Sequence, residues 1–198
     1  MEVSLVHCSE DPERLIELAY LTCRNPNPWK PSNSKRTKED RINDMWERKH
    51  FSPFEFADAT FYIKGVSRAC SHQFVRHRLA SYEQLSMRHA QALGHIVPAS
   101  IYEHKDAEGT MIDAMGTYIG LLSRGIEKED ARFVLPIGSE TRFTAKMNFR
   151  SWIHFLHLRT DEQAQWEIRN VADHILQFLR SKAPTVFDMK YKDLWGYV

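Results

Sequence analysis

Residues 59–66 read Ala-Thr-Phe-Tyr-Ile-Lys-Gly-Val, with Phe61, Ile63 and Gly65 alternating against Thr60, Tyr62 and Lys64. Strict alternation marks a half-buried strand, because successive side chains leave opposite faces of a sheet. The partly apolar run Ala69-Cys70-Ser71-His72-Gln73-Phe74-Val75 follows and predicts a helix. That helix runs into Arg76-His77-Arg78-Leu79-Ala80-Ser81-Tyr82-Glu83-Gln84-Leu85-Ser86-Met87-Arg88, which holds three arginines, a histidine and two serines. Charges delivered by an apolar element tend to end at a cleft rather than in open water. Guanidinium groups bind phosphate and planar carbonyl edges through forked hydrogen bonds. A histidine between two of them is expected to stay neutral at pH 7, because neighbouring positive charge depresses its pKa. The set suits an anionic, ring-bearing ligand such as a nucleotide or a flavin. For any single arginine, a solvated basic turn is the competing reading.

Nothing global recruits such a ligand. The formal net charge is +1, so no overall field attracts nucleic acid or an anionic membrane, and any positive site is local. Cys8, Cys23 and Cys70 form no C-x-x-C, which points to a reducing compartment and away from a disulfide scaffold or zinc ribbon. The N-terminus does not read as a signal peptide, and no stretch approaches the ~20 apolar residues of a membrane helix. A cytoplasmic protein is expected. Its 198 residues are expected to form one domain spanning 1–198.

Strands are predicted at Val3–Cys8, Ala59–Val66 and Glu140–Met147. A helix starts at Ser9-Glu10-Asp11-Pro12, with Leu15, Leu18, Ala19 and Thr22 on one face, and stops at Asn25-Pro26-Asn27-Pro28. Lys35–Lys49 reads as a surface helix with a narrow stripe of Ile42, Met45 and Trp46. His50–Phe56 is an aromatic loop, and Gly94–Pro98 a short extended connection. Met111, Met115, Tyr118, Ile119 and Leu122 outline an amphipathic helix. Short helices are expected at Glu127–Phe133 and Phe149–Leu158. Asp161–Lys182 is expected to be the longest, with Ile168, Val171, Ala172, Ile175, Leu176 and Leu179 as its stripe, followed by a tail carrying Phe187, Tyr191 and Trp195. Few strands, many helices and no regular βαβ alternation give an α+β class: a small mixed or antiparallel sheet with helices packed around it.

Other residues carry chemistry by position. Trp152, Phe155, Leu156 and Arg159 share a helix face, so Arg159 continues an apolar stripe and needs a partner. A structural pair with Asp161 and an arginine reaching an anionic substrate ring fit this spacing equally. Arg132, before Val134-Leu135-Pro136, is a second candidate. Asn148 reads as a helix cap or a ligand contact; Arg150 and His154, at i and i+4, read as a cofactor grip or an exposed polar face. Metal chemistry finds no H-E-x-x-H or Cys/His framework. No nucleophile elbow, phosphate-binding loop or dinucleotide glycine motif is present.

The spacing R-H-R-x-x-S-x-x-x-x-S-x-R over residues 76–88 resembles the signature of the flavin-dependent thymidylate synthases at every fixed position. His50-Phe51-Ser52-Pro53-Phe54-Glu55 resembles the family's H-x-[S/T]-P-F-E loop. Asn148-Phe149-Arg150-Ser151 and the run from Leu158 to Ile168 resemble its N-x-R-[S/A] and L-R-x-x-x-x-A-x-x-E-I segments, so the likeness covers roughly residues 50–170. The resemblance implies conversion of dUMP to dTMP, with methylenetetrahydrofolate as one-carbon donor, FAD as hydride carrier and NADPH as reductant. It implies a homotetramer with active sites at subunit interfaces. By position, Ser52, Arg76, His77, Arg78, Gln84, Asn148, Arg150 and His154 contact FAD. Gln73, Phe74, Val75, Arg76, Gln84, Leu85, Ser86, Met87, Arg88, Arg132 and Arg159 contact dUMP, and Arg159 favours ionisation at uracil N3. Gln84 stands where some members have Glu, and His89 where Tyr is usual. These departures keep a related pyrimidine modification, such as hydroxymethylation, in view. A nucleotide- or RNA-binding module is the rival outside enzymes, and near-neutral charge weighs against it.

Overall fold

The computed structural model describes residues 1–25, 27 and 35–198. Strands β1 (Glu2–Cys8), β2 (Asp58–Ser67), β3 (Ser81–Gln84) and β4 (Glu140–Asn148) form an antiparallel sheet in the order β1-β2-β4-β3. The helices are α1 (Pro12–Thr22), α2 (Lys38–Glu47), α3 (Arg68–Phe74), α4 (Lys105–Ser123), α5 (Lys128–Ala131), α6 (Phe149–Arg159) and α7 (Trp166–Lys182). The α+β class is borne out. No described helix is long and apolar enough to cross a membrane. The chain divides into two compact units interleaved along the sequence. One comprises Met1–Glu2, Ile63–Arg76 and Tyr82–Thr144; the other comprises Val3–Tyr62, His77–Ser81 and Ala145–Val198.

In the second unit, α1 buries a different face from the expected one. Ile16 and Tyr20 are buried together with Glu13 and Glu17, whereas Leu15 is 38% exposed. The reason lies on α2. Arg41, itself buried, donates to Glu17, as does Arg14. Tyr20 Oη donates to Asp44 at 2.7 Å, and Arg48 Nε to the same carboxylate at 2.8 Å. The interface between these helices is ionic in part, so hydropathy alone pointed to the wrong face. The expected stop for α1 falls partly on Pro26 and Pro28, which lie outside the described residues.

The stripe of Ile42, Met45 and Trp46 is buried as expected. Trp46 stacks on Tyr191 with ring centres 5.3 Å apart and meets Phe51 and Phe54 at an angle. The C-terminal turn Met189–Tyr197 thus feeds the core through Tyr191 and Trp195. Trp152 of α6 donates Nε1–H to Ala59 O at 3.1 Å and packs on Phe61 edge to face. On α7, Ile168, Val171, Ala172, Ile175 and Leu179 are buried. The helix begins at Trp166, not Asp161, because the Asp161 carboxylate accepts from Gln163 N and holds a turn. The longest described helix is α4, with 19 residues against 17 for α7.

In the first unit, Ser67 caps α3 by accepting from Cys70 N, and Phe74 packs edge-on against Phe143 at 4.9 Å. Strand β3 lies inside the arginine-rich segment, where no strand was expected. Four residues containing Glu83 and Gln84 carry little β propensity. Long-range contacts close by supply the order: Leu85 N donates to Arg142 O, and Tyr82 Oη to Phe74 O. On α4 only Tyr118 of the expected stripe is buried; Ile119 and its neighbour Ile112 are about half exposed.

The ionic seam between α1 and α2 yields a prediction. Glu17→Ala strands the buried Arg41 and loses about 3–5 kcal/mol of unfolding free energy in urea titration. Leu15→Ala, on the face wrongly expected to be buried, costs under about 1 kcal/mol. The reverse order would restore the hydropathy-based face.

Candidate active site

The second unit builds its polar centre around His77, which is 9% exposed. Arg159, at the end of α6, donates Nε–H to His77 Nε2 at 3.0 Å across 82 residues of sequence. Phe155 meets the imidazole edge to face at 5.0 Å, and the His154 ring lies 6.0 Å away. Buried Trp152, Phe155 and Leu156 fix α6, and Arg159 follows on the same face one turn later. Sequence spacing offered Asp161 as a partner of Arg159; the structure joins Arg159 to His77.

Burial above all, then the Arg159 charge and His154, push His77 down to about 4. The expectation of a neutral imidazole holds, but its cause differs. The leading effect is desolvation, and the cation named is Arg159 rather than flanking Arg76 or Arg78, both of which are exposed. Because Nε2 accepts from a guanidinium, the ring proton belongs on Nδ1. Arg76 and Arg78 form no ion pair among the described residues.

Other candidates in this unit stand on α6 and the turn before β2. Asn148 caps α6, its Oδ1 accepting from Ser151 N at 2.8 Å. Arg150 donates to Glu55 Oε1 at 2.7 Å, tying α6 to the turn Ser52–Phe56. Buried Pro53 and Phe54 seat that turn and leave Ser52 exposed.

The first unit holds the other group. Arg68, His72, Met87, Arg132, Phe133, Leu135, Pro136 and Ile137 line a cleft of about 520 Å³. Burial first, and then the charge of Arg132, lower the pKa of Arg68. Neither arginine forms an ion pair among the described residues; Arg132 Nε donates to the Glu129 carbonyl at 3.0 Å. Two uncompensated guanidiniums in one cleft call for an anion. Sequence reasoning missed Arg68. Its signal was present: Arg68 and His72 are i and i+4 on an otherwise largely apolar helix.

The remaining candidates of this unit are divided. Met87 is 4% exposed and reaches the cleft. Gln84 Nε2 donates to Ser71 Oγ at 2.9 Å and to Thr141 Oγ1 at 3.0 Å. Arg88 pairs with Glu129, and its backbone N donates to Ser86 Oγ. Gln73 Nε2 donates to Ala69 O, Phe74 is core, Val75 is 45% exposed, and Leu85 is held through its backbone. Among the described residues no group of three or more His, Cys, Asp or Glu side chains is placed to hold a metal.

His77 makes stability depend on pH. The unfolded chain takes up this proton near pH 6.5, the folded protein only near pH 4. The contribution is therefore full above about pH 6.5 and is lost as pH falls toward about 4. Wild-type melting temperature should fall more steeply through that window than that of His77→Gln; parallel curves would contradict the assignment.

Residues 4–185 match the family model described as thymidylate synthase complementing protein. A flavin-dependent thymidylate synthase of Geobacter sulfurreducens is 37% identical, the match covering 94% of this chain and 85% of that one. Its namesake from Sulfolobus acidocaldarius is 35% identical over 94% of this chain and 75% of its own. Among solved structures, the UMP/dUMP methylase PolB from Streptomyces cacaoi, bound with 5-Br dUMP, superposes with a TM-score of 0.87. It is 23% identical, and the match covers 100% of this chain and 96% of that one, a likeness of fold. With a family model spanning nearly its whole length and relatives of this identity, the chain belongs to the flavin-dependent thymidylate synthase family.

Proposed function

We propose that this protein methylates dUMP reductively to dTMP, with methylenetetrahydrofolate as one-carbon donor, FAD as hydride carrier and NADPH as reductant. One observation carries the reading: the residue assigned to the flavin, His77, and the residue assigned to the pyrimidine, Arg159, are joined by a 3.0 Å hydrogen bond. Such a contact suits two ring systems held against each other.

The donor set fits a flavin nucleotide. His77 is neutral and anchored, Arg76 and Arg78 on either side carry uncompensated charge, and Ser52, Asn148, Arg150 and His154 add donors and acceptors. FAD, when bound, supplies hydride chemistry that no side chain can. The protein's part is to position and polarise. Arg159 cannot act as a base at neutral pH, since a guanidinium keeps its proton. It stabilises negative charge at uracil N3, and the bond to His77 aims it. Arg132, joined by Arg68, holds the 5′-phosphate. Gln73, Gln84, Ser86 and Arg88 complete the nucleotide contacts.

The protein acts as a single functional domain and as a homotetramer whose active sites lie at subunit interfaces. Support comes from apolar side chains left open in one chain: Ile112, Ile119, Phe133 and Ile137 are 49–83% exposed. It works in the cytoplasm, and net charge of +1 gives nucleic acid no general hold.

Three measurements test this. The purified protein should be yellow and form dTMP, identified by mass so that a hydroxymethyl product is distinguished. Arg159→Ala should keep FAD while turnover falls by roughly 10²–10³-fold; near-normal turnover would refute the role. Arg68→Ala should raise KM for dUMP by about 10- to 100-fold while flavin absorbance is unchanged, the range expected for a hydrogen bond to a charged group. An unaltered KM would remove Arg68 from the phosphate site.

A further inference from the structure

The amide of Gln84 is held by two buried hydroxyls, and their chemistry settles which way it faces. Ser71 is 1% exposed and Thr141 is fully buried. Ser71 Oγ lies 3.1 Å from the carbonyl oxygen of Arg68, to which only a donor can bond. A serine hydroxyl has one proton. With that proton given to Arg68 O, Ser71 accepts at its other contact, so the atom facing it at 2.9 Å must be an N–H donor. Nε2 of Gln84 fits; a carboxylate oxygen does not. Thr141 Oγ1 receives the second proton of the same Nε2 at 3.0 Å. Both amide protons are thereby committed, and Oε1 receives no hydrogen bond from any described residue.

We infer that Ser71 and Thr141 are positioning residues that lock Gln84 with its carbonyl outward, so that this position reads a donor group on the bound ligand and rejects an ionised carboxylate. The inference rests on the reading of Gln84 as a ligand contact. Isoalloxazine and uracil before its ionisation share an imide N–H, and Gln84 Oε1 is the acceptor offered to it. An ionised glutamate side chain in place of this amide would set oxygen against the lone pair of Ser71. It binds well only when protonated, or when Ser71 abandons the Arg68 carbonyl.

The test uses the flavin-loaded enzyme with Gln84→Glu, Ser71→Ala, Thr141→Val and the double variants, with melting temperature measured for each. Gln84→Glu should show KM for dUMP or the dissociation constant for FAD at about pH 8 roughly tenfold above its value at about pH 6, relative to wild type. The ligand whose constant moves identifies which imide is read. Adding Ser71→Ala should bring that ratio below about threefold, because the opposing lone pair is gone. If Ser71→Ala does not fold, Ser71→Gly/Gln84→Glu makes the same comparison, since it removes the same hydroxyl. A Gln84→Glu enzyme with wild-type constants at both pH values, or a pH ratio untouched by removing the Ser71 hydroxyl, overturns the inference. Wild-type protein that binds neither FAD nor dUMP instead overturns the proposed function itself, so the two failures are separable.

Discussion

A guanidinium that cannot surrender its proton, donating to an imidazole whose other nitrogen carries the ring proton, is the constraint on which the site depends. The Arg159–His77 bond decides several matters together. Burial above all, and then the Arg159 charge, keep His77 neutral; the bond places its ring proton on Nδ1 and restrains the last turn of α6. Phe155 packs edge to face on the same ring and adds to its burial. Charge and burial act here in one direction, which is why the shift of His77 is large.

The first unit follows another logic. Arg68 and Arg132 share a cleft without a carboxylate to balance them, an arrangement that costs stability unless a ligand brings the missing charge. The α1–α2 seam shows the contrasting case. Glu17 and Asp44 lie buried among arginines and Tyr20, so every charge there has its counterpart. The protein therefore separates charge that is satisfied within the fold from charge left for a partner.

Much of this was legible in the residues. Alternation over 59–66 gave β2, the stripe on α7 gave its buried face, and the spacing of Trp152, Phe155, Leu156 and Arg159 placed the arginine at the edge of an apolar face. The errors have physical causes. On α1 the buried face carries Glu13 and Glu17, whose partners sit in another helix, so Leu15 and Leu18 were the stronger local signal. On α4 the apolar periodicity is real, but a single chain covers only Tyr118. Strand β3 has no local pattern and exists through its pairing with β4.

The sequence by itself determined the arginine-rich signature, the aromatic turn and the capped start of α6, because each is set by neighbours within a few residues. It also determined the α+β class, since helical and alternating periods can be read directly. Only the tertiary structure decided that Arg159 answers to His77, that Arg68 joins Arg132, and that Gln84 is gripped by Ser71 and Thr141. Those three depend on distances between residues far apart in the chain or on adjacent elements. No local propensity encodes such distances; they follow from how the sheet and helices close around their shared cores.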